Sequence, residues 1–468
     1  MTDSKGKQKR LQAGADVRKR VPRTSLAVWS SPADRRDPVQ ILIEQSDDRL
    51  QDLVPVRYAR MLSSEFAFYR GAAAIMASDL SYSPNTGITV QMGGDCHLVN
   101  FGGYASPDRS FVFDVNDFDE TLPGPFEFDL KRLVVSFAVA GRHLGFSEKV
   151  RDRIIQRLVC TYRENVQTFS DMSRMDVWYS RLTAQDIVDY WGQGENKKYR
   201  KLFEKQLAKA QEKTSARAVE KLTTRDADGR YSFRSAPPYL VPFSELVDER
   251  AFAARKKIAQ EALNGYRKTL ESDRHFLISG YQVVDVARKV VGVGSVGTRC
   301  WVALLVAESD EDDVLMLQIK EAVPSVYEQY LHRSRTRNHG QRVVEGQRLM
   351  QAASDILLGW TKVESLIDSG EHDFYLRQMW DWKESADIDN MDATELEIYA
   401  HMCGWTLARA HCRSGDRVEL AGYLGASDTL DRALSHYAEE YADQNAKDYQ
   451  ALHDAASAGH IKVASSGW

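Results

Sequence analysis

At 468 residues with a formal net charge of −5, the chain can bury a large core and divide into two or three parts. Hydrophobic content of 43% beside 28% charged residues is ordinary for a globular protein, and the charge gives no global case for nucleic-acid or membrane binding. No apolar run approaches the roughly 18 residues of a membrane span, and no apolar segment follows the N-terminal positive charges as in a secretory signal.

Five scattered cysteines without a C-x-x-C pair argue against a disulfide framework and against a zinc site. The expectation is a reduced, cytoplasmic protein. Residues 1–25 carry Lys5, Lys7, Lys9, Arg10, Arg18, Lys19, Arg20 and Arg23 with few apolar side chains. That composition predicts a disordered, solvated tail, with a nucleic-acid or partner-binding arm as the functional alternative.

Residues 26–146 read as N-terminal helices followed by a loop and a hairpin. Apolar residues at three and four spacings predict helices across residues 55–80. Arg57, Arg60 and Arg70 there are either surface and ion-pairing residues or the lining of an anionic pocket. ITVQM then reads as a short buried strand leading into Gly93-Gly94-Asp95. NFGGY and SFVFDV flank the turn Ser106-Pro107-Asp108-Arg109 and predict a hairpin. FEFDLKRLVVSFAVAGRHLG reads as a buried helix beginning near Asp129, which would cap it and brace the preceding loop.

Residues 147–276 are charge-rich and read as a helical subdomain. From 277 to 385 the pattern changes to strands. The spacing Gly292-Val-Gly294-Ser295-Val-Gly297 is followed by the strand-like TRCWVALLVA instead of the helix that a dinucleotide-binding turn requires. A glycine loop between two strands suits the covering of ATP phosphates, or simply turn geometry. Lys320 follows one strand later in LMLQIKEA and would hold the α- and β-phosphates. Glu345, in the helix RVVEGQRLMQ, is its expected partner, with Glu321 and Glu328 as competitors. Residues 386–468 return to helix.

Asp95, His97, Asn100, Asp117 and Asp119 lie on loops around the hairpin. A carboxylate to orient or deprotonate an attacking hydroxyl, with a carboxamide five residues on for metal, is the pattern phosphoryl transfer needs. Asp95 takes the first role, and Asn100 and Asp117 bind metal with Asp119 as a second chelator. His97 is expected to brace the loop.

Together these residues resemble the protein-kinase-like superfamily, in its aminoglycoside phosphotransferase and choline kinase branch. Gly94, Asp95, His97 and Asn100 match the motif H-G-D-x-H-x-x-N; Asp117-Phe118 match its metal motif, and Asp129-Leu130 fall at its twelve-residue spacing. Gly93 departs from the branch's first histidine. RYARM, FYRGAA, GDCHLVNFG, NDFDETLPGPFEFDLKRL, ARKVVGVGSVGTRCW and ARAHCRSGD also resemble the bacterial domain of unknown function 2252 family. That second resemblance names no reaction.

The first resemblance implies an α+β, two-lobed kinase-like fold in an order that is circularly permuted. Catalytic loop and metal aspartate come first; glycine loop, lysine, a hinge-like FYLRQMW and the helix end LARAHCRSG come later. It implies Mg²⁺ and ATP as cofactors and an unidentified hydroxyl-bearing acceptor, small molecule or protein. AMP transfer by the same site, a non-catalytic nucleotide-binding regulator, and a metal-dependent phosphohydrolase using His97, Asp117 and Asp119 are the rival readings.

Overall fold

Alternating apolar residues in CWVALLVA and VLMLQIKEA form neighbouring antiparallel strands, Cys300–Ala307 and Val314–Ala322, with Cys300 opposite Lys320. The computed structural model describes residues 2–192, 197–212, 214–247, 249–290, 292–310, 312–364, 370–379, 382 and 384–465. These two strands lie near the middle of a six-stranded antiparallel sheet. Its order runs Gly359–Glu364, Glu371–Gln378, Val314–Ala322, Cys300–Ala307, Tyr281–Lys289, Leu240–Pro242. Period-2 alternation fixes its two faces. Trp301, Ala303 and Leu305 pack with Leu317, Phe374 and Leu376 on one side, and Val302 and Leu304 with Met316 and Val219 on the other. Lys320 continues the Met316–Gln318 face past the end of that second core, towards the rest of the molecule.

The larger core is helical. Every residue from Phe126 to Gly141 in the helix Phe126–His143 is buried, so this helix is the axis around which the others pack. Glu148–Asp171, Ala393–Ser414 and Thr429–Ser457 surround it. A hairpin, Phe101–Ala105 with Phe111–Val115, lies against the same core and forms part of a separate four-stranded sheet. The fold is therefore mixed α+β. Among the described residues no helix is long and apolar enough to cross a membrane.

Two organisational expectations are corrected. Residues 2–20 are a helix, not a disordered tail. It crosses the helix Arg417–Leu424 so closely that a Cβ on Gly14 would sit 1.9 Å from the Glu419 carbonyl, and one on Gly422 would sit 2.2 Å from that of Leu11. Residues 147–276 do not form one helical subdomain either. The helix Glu148–Asp171 belongs to the main core against Ala393–Ser414, whereas Ser215–Leu222 packs on the Lys320 strand and Leu240–Pro242 joins the sheet.

Candidate active site

A cleft of about 1000 Å³ separates the sheet from the helical core. Asp95, Asn100, Asp117 and Asp119 line it from one side, and Gly292, Gly294, Ser295 and Lys320 from the other. Residues from opposite halves of the chain thus share one space.

The loop carrying Asp95 is fixed from below. Strand Thr89–Met92 pairs antiparallel with Leu122–Pro125, so the chain enters and leaves this region side by side. The backbone N–H groups of Gly93 and Gly94 donate to the two carboxylate oxygens of Asp129 at 2.7 and 2.9 Å. Nε2 of His411 lies 3.2 Å from the same carboxylate, and its Nδ1 lies 2.8 Å from Tyr162 Oη. The helix begins at Phe126, so Asp129 lies in its first turn instead of capping it, but it braces the loop as expected. Gly94 has φ +82°, and a Cβ there would lie 2.2 Å from the Glu120 carbonyl. A Cβ on Gly93 would meet Cys96 Sγ at 2.6 Å. Replacing the fully buried Asp129 with alanine strands two amides. We expect Asp129→Ala to cost roughly 3–5 kcal/mol, read as a lower urea midpoint at unchanged slope; an unchanged midpoint would contradict the bracing role.

Asp95 Oδ1 accepts from Arg132 Nε at 2.9 Å, and its Oδ2 lies 3.8 Å from His97 Nε2. Arg132 is itself held over the Tyr69 ring and donates to the Tyr69 carbonyl at 2.7 Å. Burial raises the Asp95 carboxyl above the usual carboxylate range, and Arg132 only partly offsets it. Burial, then the nearby Arg132 and Arg70, hold His97 well below the ordinary imidazole range, so it is neutral. Asn100 Nδ2 donates to the Asp95 carbonyl at 2.8 Å, which leaves its Oδ1 as an acceptor towards the cleft.

The hairpin delivers the other carboxylates. Asn116 N donates to the Asn100 carbonyl at 2.9 Å, and Asp117 and Asp119 follow. Lys320 Nζ lies 2.6 Å from Asp119 Oδ2 and 3.7 Å from Asp117 Oδ2. Tyr375 Oη donates to Asp119 Oδ1 at 2.7 Å. Burial opposes ionisation of Asp119, but Lys320 and Tyr375 outweigh it and hold this carboxyl below the usual range. Asp117 goes the other way, raised by burial and by the Asp119 charge. Burial likewise opposes the charge on Lys320, yet Asp117 and Asp119 outweigh it and keep the ammonium protonated.

Over this pair lies the glycine loop, a short 3-10 turn at Val293–Ser295 between strands Tyr281–Lys289 and Cys300–Ala307. Leu50 N donates to the Gly297 carbonyl at 2.8 Å, and Arg49 Nη1 to that of Val296 at 2.5 Å, anchoring its far side. Ser295 Oγ reaches within 3.4 Å of Asp119 Oδ2.

Residues 49–455 match the model of the domain of unknown function 2252 family, described as an uncharacterized protein conserved in bacteria. The chain belongs to that family. No curated protein and no solved structure matches it. The family match spans both walls of the cleft, from the Arg49 anchor through the helix that carries His411.

Glu345 is not part of the site. It is exposed and accepts from Gln341 Nε2 at 2.7 Å on its own helix. One turn earlier Arg342 faces inward and donates to the carbonyls of Thr121, Asp119 and Val323. The competitors are engaged elsewhere too. Glu321 pairs with Arg299 at 2.9 Å and His372 at 2.8 Å, and Glu328 closes a capping box with Ser325. Of the three arginines singled out, Arg57 is buried on Leu42, Ser46 and Gln45, Arg60 lies against Tyr239, and Arg70 lines the cleft.

Sequence reasoning missed Arg132, Tyr375, Arg377 and Glu120. Tyr375 stands directly across the sheet from Lys320, a register that only the folded sheet reveals. Arg377 packs beside Asp117 and Asp119 and donates to the Asn116 carbonyl at 3.3 Å. Glu120 accepts from Val326 N at 2.7 Å, and burial pushes its carboxyl up to about 7. The folded state therefore holds a proton on Glu120 that the unfolded chain releases above pH 4.5, so this group lowers stability as pH rises from 4.5 to about 7. Glu120→Gln is expected to flatten that part of a pH series of urea midpoints, and an unaltered slope would contradict it.

Among the described residues no group of three or more His, Cys, Asp or Glu is arranged to hold a metal ion. Two carboxylates and a free carboxamide oxygen are nevertheless a set that suits Mg²⁺, which typically takes one or two protein carboxylates and completes its octahedron with phosphate oxygens and water.

Proposed function

We propose that the chain is a Mg²⁺- and ATP-dependent phosphotransferase acting on a hydroxyl-bearing acceptor, on a circularly permuted kinase-like framework. The observation that carries this reading is the distance of 3.7 Å from Lys320 Nζ to Asp117 Oδ2 beneath the glycine loop. A phosphate-binding lysine and a metal carboxylate must reach one triphosphate, and separation beyond about 10 Å would exclude it.

Further support comes from the element order. A glycine hairpin, a second strand, Lys320 on the third strand and then the helix His339–Met350 is the succession that covers and holds ATP phosphates in kinases. The helix Ala393–Ser414 ends on the strand before the Asp95 loop, where Ser414 Oγ accepts from Gln91 N at 3.1 Å. A chain cut just before that loop and rejoined elsewhere would leave this junction.

In this reading Asp117, Asp119 and Asn100 Oδ1 would hold Mg²⁺, which when bound would supply charge neutralisation on the phosphates. Lys320 and the loop amides of residues 292–297 position the triphosphate, and Arg377 adds positive charge beside them. Asp95 Oδ2 takes the proton of the acceptor hydroxyl as its oxygen bonds to the γ-phosphorus and the bond to the bridging oxygen of ADP breaks. The raised Asp95 carboxyl suits a proton acceptor, because its conjugate acid is stabilised by the site. With Glu345 remote, orientation of Lys320 falls to Asp119 and Tyr375.

The test supplies Mg²⁺ with ATP labelled at the α- or the γ-phosphorus, together with a bacterial metabolite extract. Label passing from the γ position into an acid-stable product is the expected result, and label passing from the α position would make the site an AMP transferase. Tight Mg·ATP binding with no transfer from either position would make it a nucleotide-controlled regulator.

A further inference from the structure

The Asp95 end of the cleft carries a cation, Arg70, over the Phe66 ring. Arg70 is half-buried in the cleft wall, its Nε is buried without a hydrogen-bond partner, and it enters no ion pair among the described residues. Burial pulls its guanidinium below the ordinary range, and the nearest countercharge acting on it is Asp95. A half-buried guanidinium outside any ion pair is stabilised when an anion joins it.

Two independent features lie beside it. Gly71, Ala73 and Ala74 line the same cleft, and the nine-residue helix Ala73–Ser81 that starts there has no side-chain cap. Its first turn carries the positive end of the helix dipole, which favours a nearby anion. His97 completes the corner, neutral and with a buried Nδ1 that has no partner. Lys320 and Arg377 lie beside Asp117 and Asp119, where the reading above gives them to the triphosphate.

Resting on the phosphotransferase reading, we propose that the acceptor is anionic: a hydroxyl compound carrying a phosphate or carboxylate group that Arg70 and the amides at Ala73–Ala74 bind. This places its hydroxyl against Asp95. A planar guanidinium can take two oxygens of such a group at once, while the uncapped amides receive a third.

Inorganic phosphate is the probe. It is titrated calorimetrically into the protein saturated with Mg²⁺ and a non-hydrolysable ATP analogue, so that the γ-phosphate position is already filled. Phosphate is expected to bind at millimolar concentration, Arg70→Gln to weaken it at least tenfold, and Arg70→Lys, which keeps the charge but loses the two-pronged contact, to weaken it by less than Arg70→Gln. Parallel titration with acetate tells a phosphate site from a carboxylate site by which of the two binds more tightly. Absence of binding by both anions, or binding unaffected by Arg70→Gln in a variant that melts like the wild type, would overturn the proposal. A drop in affinity for the ATP analogue itself in Arg70→Gln, with phosphate binding unchanged, would assign Arg70 to the nucleotide and overturn it too. If the analogue does not bind at all, the nucleotide reading fails, and phosphate titrated into the free protein still reads Arg70 on its own.

Discussion

Asp117→Ala is expected to lower nucleotide turnover by roughly 100- to 1,000-fold or more while leaving the protein folded. The two halves of that expectation come from different observations. Asp117 is one of two carboxylates within 4 Å of Lys320, and it is the one whose ionisation the folded state disfavours. Removing it relieves repulsion on Asp119 and leaves the 2.6 Å Lys320–Asp119 pair in place. The thermal midpoint should therefore hold or rise. Turnover at the wild-type rate would refute the assignment of Asp117, and loss of turnover accompanied by unfolding would show a structural role instead.

Lys320→Met should have the opposite profile, damaging stability as well as turnover. Lys320 is buried, and its ammonium is the countercharge for two carboxylates at once. Breaking a buried ion pair by removing one partner costs roughly 3–5 kcal/mol, more than a surface pair would. Part of that loss should be recoverable. With the ammonium gone, Arg377 remains as the positive charge beside Asp117 and Asp119 and the pair gains net negative charge, so millimolar Mg²⁺ should raise the melting temperature of Lys320→Met more than that of the wild type. Equal Mg²⁺ effects on the two proteins would contradict the placement of the cation between these carboxylates.

What the sequence disclosed about the site follows from locality. Asp95, Asn100 and the hairpin were legible because their spacing, turn residues and strand alternation are all short-range, and they share the cleft with Lys320 and the glycine loop. Glu345 was misread because a helix turns about 100° per residue. A shift of one position swings a side chain from the inward Val344 or Gly346 to the outward Glu345, and only tertiary packing decides which positions face the core. The N-terminal helix was illegible for another reason. Its docking depends on Gly14 and Gly422, where the signal is an absent side chain, and on few apolar contacts such as Val17. A composition rule sees only its lysines and arginines. Arg132 was hidden by context: within a helix buried on all sides, a charged residue reads as a flaw in the pattern until its partner across the turn, Asp95, is known.

Two halves of the chain meeting on one triphosphate is the claim everything else depends on. A crystal structure of the protein with Mg²⁺ and a non-hydrolysable ATP analogue tests it most directly. The phosphates are expected beneath residues 292–297, with Lys320 Nζ and the Asp117 carboxylate both at that one triphosphate. A nucleotide bound elsewhere, or in this cleft with Lys320 and Asp117 on different groups, would contradict it.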